Sequence, residues 1–387
     1  MKKLYLFDEI EYENRWKKCQ QEMEKEELDV LVLSQLNNIT YITGFKSNLF
    51  SCNFRPYLCL MRKEKLPILL VPNLELNSAK EQTCLTDIRS WGSGGDAKDA
   101  IELLEKIFKE EKLFNCIIGM ELDQRLDAEI SKKDFIKLQD FFKNCILKSC
   151  SGLMWKLRRI KSKKEIDFIQ EACRIADVSF NVVIETINAG ISEQEARKII
   201  GRTILDEGGD LEGFTIVVSG RDRHDSFYSY RSDKIIEKGE MVSIDIGVVF
   251  KGYWTEITRI VFIDSISDNE KTLYQAIQKI HEVAIKAIKP GITTKEMDIA
   301  TRAVAKQLGY EDILMGHGSG HGIGLDLLEP PFLNIYDKNI LEPGMCFAVE
   351  PGIVHPEIGQ FRFQDTIVVS EKGSLCLNNC SRSLIIK

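Results

Sequence analysis

The chain has 387 residues, 44% of them hydrophobic and 29% charged, and carries a net charge of −7. That length predicts two domains with sizeable cores, and the composition excludes a disordered chain. The acidic balance and the lack of any apolar run of about eighteen residues argue against nucleic acid or a membrane as partner.

The N-terminus turns acidic within a few residues and has no long apolar stretch, so no signal peptide is expected. Eleven cysteines, an odd number without framework spacing, fit small core residues in a reducing cytoplasm. "NRWKKCQQEMEKEELD" reads as an amphipathic helix, with Trp16, Cys19, Met23 and Leu28 at near-helical spacing. "VLVLS", "YLCLM" and "PILLV" read as strands, and "DAIELLEKIFKEE" as another helix. This alternation predicts an α/β domain over residues 1–153.

The densest basic run, Arg158–Lys164, reads as a solvated helix start. Ser162 followed by Glu165 is a capping-box pattern, and Ile166, Ile169, Cys173 and Ala176 then share one helical face. A second domain over 154–387 is placed around this helix. Further helices are expected over Glu193–Glu207, in "EKTLYQAIQKIHEVAIKAI" and in "TKEMDIATRAVAKQLG". "FTIVVSG" is a strand, and "MVSIDIGVVFKGYWTEITRIVFI" is two strands turning at Lys251–Gly252. "MCFAVEPGIV", "FRFQDTIVVS" and "RSLIIK" read as strand again.

The chemistry-bearing residues fall on these strands. Asp245 alternates with Ile244 and Ile246, so it points away from both. Glu256 follows across the Gly252 turn and can share its face. His321 sits in the glycine-rich run "GHGSGHGIGLDLLEPP", Glu350 ends "CFAVE", and Gln364 lies in "FRFQDTIVV". Converging oxygen and imidazole donors suit a divalent metal. The glycine run could instead serve only to let backbones approach closely. It lacks the spacing of a phosphate-binding loop.

Taken together, "NNITYITGF", "LRRIKSKKEIDFIQEACRIAD", "IDIGVVFKGYWTEITR", "GSGHGIGLDLLEPP", "AVEPGI" and "FRFQDTIVV" resemble, in order, the motifs of the prolidase, aminopeptidase P and creatinase family of pita-bread hydrolases. The resemblance implies an α/β N-terminal domain, an α+β pita-bread catalytic domain with a curved antiparallel sheet backed by helices, and a homodimer. It also implies a two-metal site. Carried over, the ligand positions are Asp245, Glu256 where the family has a second aspartate, His321, Glu350, and Gln364 where it has a glutamate. Glu256 and Gln364 stand at the positions that bridge both ions. A neutral amide offers one oxygen and no charge, so a dinuclear site is not expected, and the cofactor is either absent or a single Mn²⁺, Zn²⁺ or Co²⁺. Leu328 and Tyr228 stand where Xaa-Pro peptidases carry histidines, with His224 four residues before Tyr228. Arg55 lies near where creatinase places a substrate-binding arginine. Glu329, Pro330 and Arg259 keep the family's form.

The resulting expectation is a cytoplasmic hydrolase of a C–N bond, amide or amidine, in a small molecule or short peptide. Asp245, Glu256, His321 and Glu350 are its catalytic candidates, and Arg55, Tyr228 and His224 its substrate-binding ones. The alternatives are a divergent Xaa-Pro dipeptidase or aminopeptidase and a non-catalytic binding protein on the same fold.

Overall fold

In a computed structural model the chain forms two units, Met1–Arg158 and Arg159–Lys387. The structure describes residues 4–51, 55–95, 98–123, 126–220, 223 and 232–387.

Unit 1 runs α1 (Glu9–Lys25), β1 (Val30–Leu33), α2 (Leu36–Thr43), β2 (Leu58–Arg62), β3 (Ile68–Pro72), α3 (Leu76–Gln82), β4 (Ile88–Trp91), α4 (Ala100–Glu110) and β5 (Ile117–Met120). A small hairpin of β6 (Leu122–Asp123) and β7 (Leu126–Asp127) follows, then α5 (Lys132–Phe141), β8 (Ile146–Ser149) and α6 (Ser151–Arg159). The sheet order is β4-β3-β2-β1-β5-β8, with both parallel and antiparallel pairs. Val30, Val32, Leu58, Leu60 and Leu70 pack against Leu104, Ile107 and Phe108 of α4. Trp16, Cys19 and Met23 are buried on the face of α1 that their spacing predicts, whereas Leu28, also buried, lies past the end of the helix at Lys25, after a turn through Glu27 (φ 58°).

Unit 2 opens with α7 (Lys163–Thr186), whose Ser162–Glu165 capping box forms in both directions. It continues with α8 (Glu193–Asp206), β9 (Leu211–Ser219), β10 (Met241–Phe250), β11 (Tyr253–Phe262), α9 (Asp268–Ala287) and α10 (Thr294–Gln307). The last third holds β12 (Gly320–Gly322), β13 (Glu329–Leu333), β14 (Cys346–Val349), β15 (Gly352–His355), β16 (Gly359–Arg362), β17 (Asp365–Ser370), β18 (Gly373–Cys376) and β19 (Ile385–Ile386). Two sheets form, ordered β19-β11-β10-β9 and β13-β12-β14-β17-β18, beside a β15–β16 hairpin. Val242, Ile244, Ile246 and Val248 point from β10 into the apolar layer under α7 and α8. Strand alternation therefore turns Asp245 and Gly247 to the opposite face. The architecture is the α/β plus pita-bread arrangement that the motifs imply.

Three readings of the sequence need correction. "FRFQDTIVVS" is two strands, because β16 pairs with β15 and β17 with β14, with a break at Phe363–Gln364. "MCFAVEPGIV" likewise breaks at Glu350–Pro351 between β14 and β15. The basic run is a solvated helix start only at Lys163 and Lys164, which open α7 exposed. Arg158 is buried in unit 1 and donates to Asn38 Oδ1 at 2.9 Å. Lys161 is buried in unit 2 against Glu329 at 2.8 Å. Lys161 is paired with a carboxylate and Arg158 is hydrogen-bonded to an amide oxygen, and such partners are the condition on which buried charge is tolerated.

Candidate functional site

The site is built where the two sheets of unit 2 meet. The β10–β11 hairpin turns through Lys251 (φ 48°) and Gly252 (φ 85°), the backbone of a tight two-residue hairpin turn. Its register sets Asp245 opposite Thr258 and Glu256 opposite Gly247. Both carboxylates thus lie on one face, on neighbouring strands. An isolated bridge between Thr258 and Gln364 ties β11 to the break before β17. Arg259 fixes that junction from behind: it donates to the Gln364 carbonyl at 2.8 Å and to Asp365 Oδ1 at 2.7 Å. Gly320 (φ 147°) lets β12 press against β14, since a Cβ there would meet the Ala348 carbonyl oxygen at 2.0 Å. That contact brings His321 beside Glu350.

Asp245, Glu256, His321, Glu350 and Gln364 are all buried and lie together. His321 Nε2 is 3.5 Å from Glu256 Oε2 and 3.5 Å from Glu350 Oε1. His321 Nδ1 is 2.9 Å from the Gly322 carbonyl, which can only accept, so Nδ1 carries the proton and Nε2 faces the acids. Burial alone would lower this imidazole, but Glu256 and Glu350 outweigh it and hold it up at about 9. Burial raises Asp245; Arg362 opposes, Glu256 and Glu350 reinforce, and the carboxyl sits at about 7.

Gln364 takes a definite orientation. Its Oε1 accepts from the Thr258 hydroxyl at 2.8 Å, while its Nε2 donates to Glu256 and, at 3.2 Å, to Glu350. An ionised carboxylate only accepts, so the nitrogen must face the two acids.

Two residues of this cluster were not singled out in the sequence. Arg362, buried on β16, donates one nitrogen to Asp245 and another to Glu350. The signal for it was its position two residues before Gln364, but the intervening strand break hid it. His317 lies 3.9 Å from Glu350 with 40% of its side chain exposed. It precedes His321 by four residues in the glycine run, which was the available signal.

Of the substrate-binding candidates, Arg55 is half-buried in unit 1, close enough to act electrostatically on the Tyr57 phenol. Tyr228 and His224 lie outside the described residues.

Do these residues fit a metal? One oxygen each from Glu256 and Glu350 and the His321 nitrogen lie within 4.8 Å of one another. With bonds of roughly 2 Å, a single ion can reach all three after small shifts. Asp245 Oδ1 is buried with no hydrogen-bond partner among the described residues, an acceptor that a cation or a proton would satisfy. The donor set therefore fits one ion. Around it, Arg362 and Gln364 already bring donors to Asp245, Glu256 and Glu350.

Residues 167–371 match metallopeptidase family M24, and residues 15–160 match the creatinase/prolidase N-terminal domain. The chain belongs to that family and is a hydrolase of the peptidase type. It is 30% identical over 369 residues to the Xaa-Pro dipeptidase of Pyrococcus horikoshii, covering 95% of this chain and 98% of the relative. It is 31% identical to that of Pyrococcus furiosus, covering 82% and 86%. Among solved structures, the Xaa-Pro dipeptidase from Bacillus anthracis superposes with a TM-score of 0.86 at 28% identity, covering 97% of this chain and 100% of that one. No helix of the described residues is long and apolar enough to cross a membrane.

Proposed function

We propose that this chain hydrolyses the amide bond of short peptides, with Xaa-Pro dipeptides the first class to test, and that it works with at most one divalent ion. One observation carries the reading. The Gln364 amide, fixed by Thr258, presents its nitrogen to Glu256 and Glu350 where a bridging carboxylate would present oxygens.

Glu256, His321 and Glu350 would hold the ion, which would supply Lewis-acid polarisation of the scissile carbonyl. The chain's own groups do the rest. His317, 40% exposed and 3.9 Å from Glu350 Oε1, is placed at the edge of this group to take a proton from the attacking water. As the C–N bond breaks, it returns that proton to the leaving nitrogen. Arg362 holds Asp245 and Glu350 in place and offsets their charge. Leu328, 54% exposed, stands where the resemblance implies a histidine, and it cannot move a proton.

Metal-free hydrolysis of an amide or amidine is the second reading. It is favoured by Arg362, whose guanidinium already serves two of the acids without an ion.

The test is a panel of dipeptides and small amides given to metal-stripped protein, with and without Mn²⁺. Turnover that His321→Ala removes supports an amide hydrolase at this site. Full turnover in that variant would move the site elsewhere, and no turnover on any substrate of the panel would overturn the proposed substrate class.

A further inference from the structure

Two thiols meet at the edge of the unit 1 sheet. Cys116 stands just before β5 and Cys145 just before β8, and these parallel strands pair Ile117 with Ile146, one residue further on. The Ile146 N–H donates to the Cys116 carbonyl at 3.0 Å, so the ladder reaches the cysteines. Parallel neighbours send their side chains to the same side of the sheet. Here that side is the apolar layer shared with Ile118, Leu138 and Phe142. The two sulfurs are 3.7 Å apart, and both residues are free thiols. Neighbouring strands lie about 5 Å apart, inside the Cα separation of about 4.4–6.8 Å that a disulfide spans. The backbone is therefore already placed for a bond, and rotation of the side chains is what remains.

The pair is unequal. Cys116 is buried, and burial together with the neighbouring thiol pushes it up to about 12. Cys145 is half-buried, the more open of the two to an oxidant. Strand β8 is also the edge of its sheet, paired there with β5, and its Ile146 is 59% exposed. We propose that Cys116 and Cys145 form a reversible disulfide when the chain meets a small-molecule disulfide of the glutathione type, and that the bond clamps β8 to β5. The Cys145 thiolate attacks one sulfur of the oxidant and expels its other half as a thiolate. The Cys116 thiolate then attacks the Cys145 sulfur of that mixed disulfide and expels the second half. Two protein thiols give up two electrons and two protons, and the oxidant leaves as two thiols. In a strongly reducing medium the exchange runs back to the dithiol. The bond joins residues 29 apart in sequence, so it removes chain entropy from the unfolded state. None of these steps involves the acids of unit 2.

The reduced chain is incubated with glutathione disulfide, blocked with N-ethylmaleimide, digested and read by mass spectrometry. The expected product joins the Cys116 and Cys145 peptides with loss of two hydrogens, and dithiothreitol reverses it. The oxidised chain melts about 5 °C or more above the reduced chain, and a Cys145→Ala variant treated in the same way shows no rise. A lasting glutathione adduct on Cys145, or both cysteines recovered as separate maleimide adducts, overturns the pair. A crosslink that leaves the melting temperature unchanged, or an equal rise in Cys145→Ala, overturns the clamp. The crosslink is read in the wild type, so no variant has to fold for the pair to fail.

Discussion

Gln364 gives its side-chain nitrogen to Glu256, and the oxygen of the same amide is held on the far side by the Thr258 hydroxyl. Turning the amide over would set its oxygen against two acids and lose the Thr258 bond to that oxygen. The side chain therefore acts at this position as a donor.

Replacing that donor should change how much metal the chain holds. Gln364→Glu returns a charged, two-oxygen group to the junction, and Gln364→Glu with Glu256→Asp returns both bridging positions to the form the resemblance implies. The content of Mn²⁺ per chain after loading and desalting should rise above that of the wild type in the double variant. Elemental analysis by plasma mass spectrometry reads the change directly.

Arg362 should be a stability residue as well as a site residue. Arg362→Ala leaves Asp245 and Glu350 buried without their guanidinium, and breaking a buried pair from one side costs about 3–5 kcal/mol. Urea unfolding should show the midpoint falling by a corresponding amount. Added Mn²⁺ should recover more stability in the variant than in the wild type, because a cation then has the acids to itself.

Lys161 and Glu329 form another buried pair of unit 2, both almost fully enclosed. Lys161→Met strands the carboxylate whose Oε1 also accepts from the Asp326 N–H in the turn after His321. A loss of about 3–5 kcal/mol is expected. The double variant Lys161→Met, Glu329→Gln should regain a large part of it, as measured by a double-mutant cycle in urea.

Acid should weaken unit 2 through His281. Burial holds this imidazole down at about 4, with Arg259 and Arg382 acting in the same direction and Asp365, 3.4 Å away, opposing them. Its Nε2 lies 3.2 Å from the Val349 carbonyl. The folded value is below the ordinary 6.5, so the unfolded chain binds more protons between pH 6.5 and pH 4. The stabilisation is complete above that window and is lost as pH falls through it. The melting temperature should drop from pH 7 to pH 4.5 more steeply in the wild type than in His281→Asn, and parallel curves would contradict this.

Much of the site could be read along the chain. Alternation around Asp245 and the Lys251–Gly252 turn place two acids on one face, because a strand's period is local. Glu350 and Gln364 were legible as candidates but not as positions. Each sits at a break where the chain leaves one sheet for another, and a run such as "FRFQDTIVVS" carries no mark of that change of partner. The same break concealed Arg362, whose role depends on Asp245, 117 residues away. Arg158 and Lys161 misled for a related reason. A basic run resembles a solvated surface unless the acids or amides that meet it, here Asn38 and Glu329, are already placed.

The central claim is that the chain holds no more than one catalytic cation. The direct measurement is the metal content of wild-type protein stripped with chelator, saturated with Mn²⁺ and freed of excess ion. The account predicts one equivalent per chain or less. Two equivalents, lost together when His321 is replaced by alanine, would contradict it.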